Sequence, residues 1–173
     1  MGTASRTVSV IGVGRCDRGD AAAGLLVADI VARRLGDQVV TGTPTSTAEL
    51  AAMWGSHDTV FVVTAVRSDD RPGSVRRSEP LDHDQPVRHA DLLHGIDLAG
   101  AVTLGRVHDR LPRVLVVYTI EGQRFTQRAG VFPEVAAAAH EVAGRIVAEV
   151  GAPAPLPALS RPEDQMAGTA QMT

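Results

Sequence analysis

The stretch that decides the fold runs from Thr7 to Gly24 and reads TVSVIGVGRCDRGDAAAG. Its first seven residues are mostly apolar and β-branched, which predicts a buried strand. A glycine-rich loop follows at Gly14–Gly19, and apolar side chains then recur at helical spacing over Ala23–Val31. Asp20 lies where this helix should begin, so we expect its carboxylate to cap the helix. Strand, glycine loop and helix in this order predict the first unit of an α/β domain.

The remaining sequence continues the alternation of strands and helices. Continuous apolar runs at Thr59–Val63 and Val114–Thr119 predict central strands, and shorter strands are predicted at Gln38–Gly42 and at Ser74–Arg77, the latter at a sheet edge. Helical periodicity predicts a helix over Leu92–Val107. The sequence therefore indicates an α/β fold with a largely parallel sheet.

The ends of two further helices carry specific signals. Ser46 followed by Glu49 predicts a capping box, and Pro133 suits the first position of a final helix that stops at Gly151. We expect residues 1–151 to form a single domain. The segment 152–173 is rich in Pro and Ala and lacks periodicity, so we expect a flexible tail.

Composition excludes several classes of function. The chain of 173 residues is 44% hydrophobic and 21% charged, which is typical of a globular domain. Its net charge of −3 argues against a nucleic-acid partner. All 17 basic residues are arginine, so no mechanism can use a lysine. No apolar run is long enough to span a membrane and no signal-like segment is present, so we expect a cytoplasmic protein.

The glycine loop permits two simple interpretations of its chemistry. Gly12 and Gly14 after a strand suggest a dinucleotide site, but the third glycine of that motif is replaced by Asp17, an acid near the expected pyrophosphate. Cys16 between Arg15 and Arg18 could be an activated nucleophile. The simpler interpretation, a small side chain of the loop, is the one that we favour.

Ligands in open α/β sheets collect beyond the carboxyl ends of the strands. The segments expected there are the loop Gly12–Asp20, the segment Thr64–Asp70 and the dipeptide His94-Gly95. Within Thr64–Asp70, the pair Asp69-Asp70 is either a solvated charge run or a border of the cleft.

Five short segments together resemble the hydrogenase maturation proteases, in family order over about residues 7 to 150. The matching segments are Val10-Ile11-Gly12-Val13-Gly14, Arg18-Gly19-Asp20 with Gly24, Ala65-Val66-Arg67-Ser68 with Pro72-Gly73, His94-Gly95-Ile96-Asp97-Leu98, and Tyr118-Thr119-Ile120-Glu121-Gly122. The resemblance implies a three-layer α/β/α sandwich with a mixed, mostly parallel sheet.

The resemblance also implies an activity and a partner. The family removes a C-terminal peptide from the large subunit of a nickel-iron hydrogenase after nickel insertion. Nickel is carried by that substrate and is not a resident cofactor. In the family the metal is held by an acid after the glycine loop, an Asp that ends the middle strand, and the His of the His-Gly motif, a ligand set suited to a divalent ion.

Two of these three ligand positions are substituted here. The acid after the glycine loop is replaced by Ala21, and the Asp of the middle strand by Thr64, so His94 alone keeps the ligand type. His94 could also be a hydrogen-bonded structural residue. If the chain binds a metal, we expect His94 with Asp20 or Asp17 as the substitute carboxylate.

The site residues therefore permit two hypotheses. The first is an endopeptidase with impaired or lost activity, in which a metal-activated water would attack the peptide carbonyl. The second is a non-catalytic paralogue that binds a hydrogenase subunit or a maturation factor through the retained cleft. The residues expected to line that cleft are Gly14, Cys16, Asp17, Gly19 and Gly95.

Overall fold

A computed structural model describes residues 7–55, 57–81, 91–92 and 95–152, with only the backbone of residues 91–92. The predicted ligand His94 lies outside the described residues. So does the predicted tail beyond Ala152.

The described residues form seven strands and four α-helices. In chain order these are β1 (Val8–Val13), α1 (Ala23–Leu35), β2 (Val40–Gly42), α2 (Thr47–Ala52), β3 (Thr59–Val66), β4 (Val75–Ser78), β5 (Asp91–Leu92), β6 (Ile96–Asp97), α3 (Leu98–Val107), β7 (Val114–Glu121) and α4 (Pro133–Gly151). Short 3-10 turns at Gly19–Ala22 and Gly36–Gln38 flank α1.

The sheet has the order β2-β1-β3-β7-β4. β1, β2, β3 and β7 pair in parallel, and β4 pairs with β7 in antiparallel orientation at the edge. Strands β1 and β3 are direct neighbours, with Val13 opposite Thr64 at their carboxyl ends. The predicted mixed, mostly parallel sheet is therefore confirmed.

Helices cover both faces of this sheet and enclose two separate cores. One core joins α1 and α4 to strand residues such as Val10, Phe61 and Tyr118. The other joins α2 and α3 to Ile11, Val62 and their neighbours, with Trp54 fully buried among them. Because side chains alternate along a strand, each central strand supplies both cores. Sheet and helices thus form the expected three layers.

Two helix ends follow the sequence signals closely. Ser46 Oγ accepts the Glu49 N–H at 3.2 Å. The Glu49 carboxylate accepts from the N–H of Thr45 at 2.8 Å, one residue before the position expected in a capping box. Pro133 opens α4 as predicted.

The predicted helix over Leu92–Val107 is wrong in its first third. Strands β5 and β6 form a small antiparallel pair, and α3 begins only at Leu98. Gly95 has φ of 78°, a left-handed conformation that turns the chain between the two strands. The N–H of Asp97 also donates to Thr47 Oγ1 at 2.9 Å, which fixes this strand against the start of α2.

No helix in the described ranges is both long and apolar enough to cross a bilayer.

Candidate functional site

The candidate site lies at the carboxyl edge of β1 and β3. After β1 the chain continues to β2 on one side, and after β3 it continues to β4, which lies beyond β7 on the other side. Helix α1 lies on one face of the sheet, whereas α2 and α3 lie on the opposite face. This divergence opens the crevice in which α/β proteins bind ligands. The loops that border it begin at Gly14 and at Arg67.

Close backbone contacts hold the glycine loop and the start of α1 in this crevice. A Cβ atom on Gly24 would lie 2.3 Å from the carbonyl oxygen of Val63 and 2.6 Å from that of Val13, so only glycine fits between the two strands. Gly19 has φ of 54°, and a Cβ there would lie 2.3 Å from the carbonyl oxygen of Arg124. Both glycines are thus required by packing, not by a ligand.

Asp20 forms the central polar contact of the site. Its side chain is fully buried, and Oδ2 accepts the N–H groups of Gln123 at 2.8 Å and Arg124 at 2.6 Å. Oδ1 accepts the N–H of Phe132 at 2.6 Å. The prediction that Asp20 caps its own helix is wrong: the residue sits inside the 3-10 turn, and its carboxylate reaches across to another loop. Asp20 therefore fastens the loop Gly122–Phe132 over the carboxyl edge.

The two residues that the resemblance predicts at substituted ligand positions are both closed to solvent. Ala21 and Thr64 have no exposed surface. The Thr64 hydroxyl donates to the carbonyl oxygen of Ala65 at 3.2 Å. Neither residue offers a charged atom or an accessible oxygen to the crevice.

The glycine loop carries an exposed ion pair. Arg15 donates from Nε and Nη2 to the two carboxylate oxygens of Asp17, each at 3.1 Å. The hydrogen bond from Arg15 lowers the pKa of Asp17 and, reciprocally, raises the pKa of Arg15. Cys16 between them is exposed and free. Asp17 is thus available to solvent, but a positive charge accompanies it.

A second buried carboxylate was not singled out by the sequence analysis. Glu121 at the end of β7 is 3% exposed and accepts the N–H and the hydroxyl of Ser68, both at 2.7 Å. Two signals pointed to it in the sequence: it closes the apolar run VLVVYTIE, and it belongs to the segment Tyr118–Gly122 of the resemblance. Its partner was not predictable, because Ser68 lies 53 residues away. This pair joins the loops that follow β3 and β7.

The described residues at this edge do not fit a divalent cation. Such an ion needs anionic oxygens with free lone pairs, whereas Ala21 and Thr64 are neutral and Asp20 is committed to three N–H groups. Within the described ranges no group of three or more His, Cys, Asp or Glu residues is arranged to hold a metal. Exposed Gly95 precedes β6, and His94 beside it lies outside these ranges.

Comparisons with known proteins bear on the fold. No family model and no curated protein sequence matches the chain. Solved structures do match. An endopeptidase from Escherichia coli superposes with a TM-score of 0.70 at 21% identity, over 82% of this chain and 90% of that one. The hydrogenase maturating endopeptidase HybD from E. coli gives 0.67 at 19% identity, over 83% and 91%.

A third neighbour comes from an archaeon. The [NiFe] hydrogenase maturation protease HycI from Thermococcus kodakarensis gives a TM-score of 0.61 at 20% identity, over 83% of this chain and 91% of that one. Identity this low establishes a common architecture and leaves activity to be argued from the site. The chain has the α/β fold of the hydrogenase maturation endopeptidases.

Proposed function

We propose that this chain is a hydrogenase maturation protease-like protein whose endopeptidase activity is weak or lost. One observation supports the proposal: Ala21 and Thr64, which the resemblance places at two metal-ligand positions, are buried and neutral. The fold shared with HybD and HycI supports the family assignment. The single cysteine is consistent with a reducing, cytoplasmic compartment.

The loss of metal binding follows from charge. Two carboxylates offset the dehydration of a divalent ion, and a methyl group and a hydroxyl cannot. Disturbing even the outer contacts of a metal site costs about 10- to 100-fold in affinity, and loss of two direct ligands should cost more. His94 alone would leave one imidazole for the nickel that, by the family resemblance, the substrate carries.

The substitute carboxylates face competing contacts. Asp20 would have to give up backbone hydrogen bonds to turn toward an ion. Asp17 would have to leave Arg15, and the guanidinium would then lie beside the cation. These contacts favour the second hypothesis, a non-catalytic paralogue that binds a hydrogenase large subunit or a maturation factor. The hydrogen bonds of Asp20 and of Glu121 hold the loops of the crevice together, so these loops could offer a partner a defined surface.

The test uses a nickel-loaded precursor of a hydrogenase large subunit from the same organism. The precursor is incubated with this protein, its C-terminus is followed by mass spectrometry, and the mixture is analysed by size-exclusion chromatography. We expect a complex and no removal of the C-terminal peptide. Cleavage at the rate of a homologue with intact acids would contradict the loss of activity, and the absence of any complex would contradict the binding role.

A further inference from the structure

Two arginine side chains stack on aromatic rings of the loop Gly122–Phe132. The guanidinium of Arg67 lies 5.0 Å from the centre of the Phe125 ring, and that of Arg124 lies 5.5 Å from the centre of the Phe132 ring. The chain has three phenylalanines, and two of them, Phe125 and Phe132, lie in this loop. A stacked guanidinium loses little further freedom when its N–H groups bind a ligand. Stacking therefore fixes both guanidinium groups in place before an anion binds.

Neither stacked arginine has an acidic partner among the residues that the structure describes. Arg67 donates one hydrogen bond, from Nη2 to the carbonyl oxygen of Gln123 at 3.1 Å, and its other donors are not used there. The neighbouring acids are already engaged. Asp20 is saturated by backbone N–H groups, and Glu121 is bound to Ser68.

Two more exposed arginines lie in or beside this loop, Arg128 within it and Arg18 on the adjacent glycine loop. The N–H of Arg128 donates to the carbonyl oxygen of Asp17 at 2.8 Å, which brings its backbone beside Arg18 on the glycine loop. Neither side chain forms an ion pair within the described ranges. We call Arg18, Arg67, Arg124 and Arg128 together the arginine face. Its four residues lie on the loops that follow β1, β3 and β7 at the carboxyl edge of the sheet.

We propose that the arginine face binds a carboxylate-rich segment of a partner protein. The inference rests on the proposed binding role and names the chemistry of the partner. Guanidinium groups match carboxylates in a fork geometry and bind them by charge-assisted hydrogen bonds. Acidic residues neighbour these arginines along the chain, since Asp17 precedes Arg18, and Asp69 and Asp70 follow Arg67. That arrangement suits separate carboxylates better than the continuous charge of a nucleic acid.

The test uses a fluorescein-labelled decaglutamate peptide and fluorescence anisotropy. The protein has a net charge of −3, so its overall field repels the probe and binding reports a local surface. We expect saturable binding that weakens as salt is raised. The double variant Arg67→Gln/Arg124→Gln should weaken it at least tenfold.

A matched control carries Arg106→Gln and Arg113→Gln. Arg106 lies in the last turn of α3 and Arg113 lies directly before β7, and both are exposed. The control has the same net charge as the test variant. It should bind like the native protein. Equal losses in both variants, no binding by the native protein, or tighter binding of a single-stranded oligonucleotide of equal charge would each overturn the proposal.

The assay contains no metal, no hydrogenase subunit and no cleavage step. Failure here therefore leaves the proposed function standing, because a partner could bind elsewhere. Conversely, a protein that cleaves the precursor could still bind decaglutamate, so the two proposals fail separately.

Discussion

Replacing Asp20 with Asn tests the buried contact that holds the site together. One amide oxygen can still accept from Gln123 and Arg124, but the new NH2 group then faces the N–H of Phe132. A hydrogen bond to a charged group is worth about 1.5–3 kcal/mol, and a buried donor left without a partner costs about 1–3 kcal/mol. We expect Asp20→Asn to lower the free energy of unfolding by about 3 kcal/mol.

The assay is urea unfolding followed by circular dichroism, together with thermal unfolding. For a chain of this size about 3 kcal/mol corresponds to a fall in Tm of roughly 6–12 °C. Asp20→Ala, which leaves all three donors without a partner, should cost about 5 kcal/mol. The control is Asp37→Asn, an exposed acid in the turn after α1, with an expected change within about 0.5 kcal/mol. A loss below about 1 kcal/mol for Asp20→Asn would refute the reasoning.

Three further substitutions test separate contacts. Gly24→Ala places a methyl group against two carbonyl oxygens and should destabilise by several kcal/mol, about 3 or more, as read by urea unfolding. Gly144→Ala on α4, where a Cβ atom would meet Nη1 of Arg34 at an ordinary contact distance of 4.0 Å, should stabilise by about 0.5–1 kcal/mol in the same assay. Glu121→Gln should cost about 1 kcal/mol in the same assay, because two hydrogen bonds to a charged group become neutral ones while the Ser68 hydroxyl can rotate to accept from the new NH2 group; Glu134→Gln, at the exposed start of α4, is its control. The Tyr118 hydroxyl donates to Glu149 at 2.5 Å. Burial is the main cause that raises the pKa of Tyr118 to about 12, and this hydrogen bond is the second. The unfolded tyrosine titrates near 10, so the contribution of Tyr118 to the free energy of unfolding is complete below about pH 10 and is lost between about pH 10 and 12. Tyr118→Phe should remove that fall when Tm is measured against pH.

Much of the fold could be predicted because strand and helix periodicities are local signals. The strands at Val8–Val13, Thr59–Val66 and Val114–Glu121 are continuous apolar runs, which predict central parallel strands. The order β2-β1-β3-β7-β4 was not predicted, because it depends on pairings between strands that are distant in the sequence. The helix start at Leu98 was misjudged because Gly95 and the contact between Asp97 and Thr47 override a helical pattern. The two residues are 50 positions apart, so the sequence around Asp97 does not reveal this hydrogen bond.

The site was predictable in its place but not in its contacts. Parallel strands put Gly14–Asp20 and the end of β3 at one edge, as expected from the topology rule. The role of Asp20 was not predictable, because its three donors lie 103 to 112 residues further along the chain. An aspartate before a helix looks like a cap whether its carboxylate turns toward its own helix or away from it.

The proposed function depends on the lack, at Ala21 and Thr64, of the two acids that by the resemblance would bind a divalent ion. Titration calorimetry with nickel tests it on the native protein, on the variant Ala21→Glu/Thr64→Asp, and on the same variant with His94→Ala. The account predicts no binding of micromolar affinity by the native protein, saturable binding by the double variant, and its loss when His94 is also replaced. Micromolar binding by the native protein that His94→Ala abolishes would contradict the account, because a rearranged metal site would then exist.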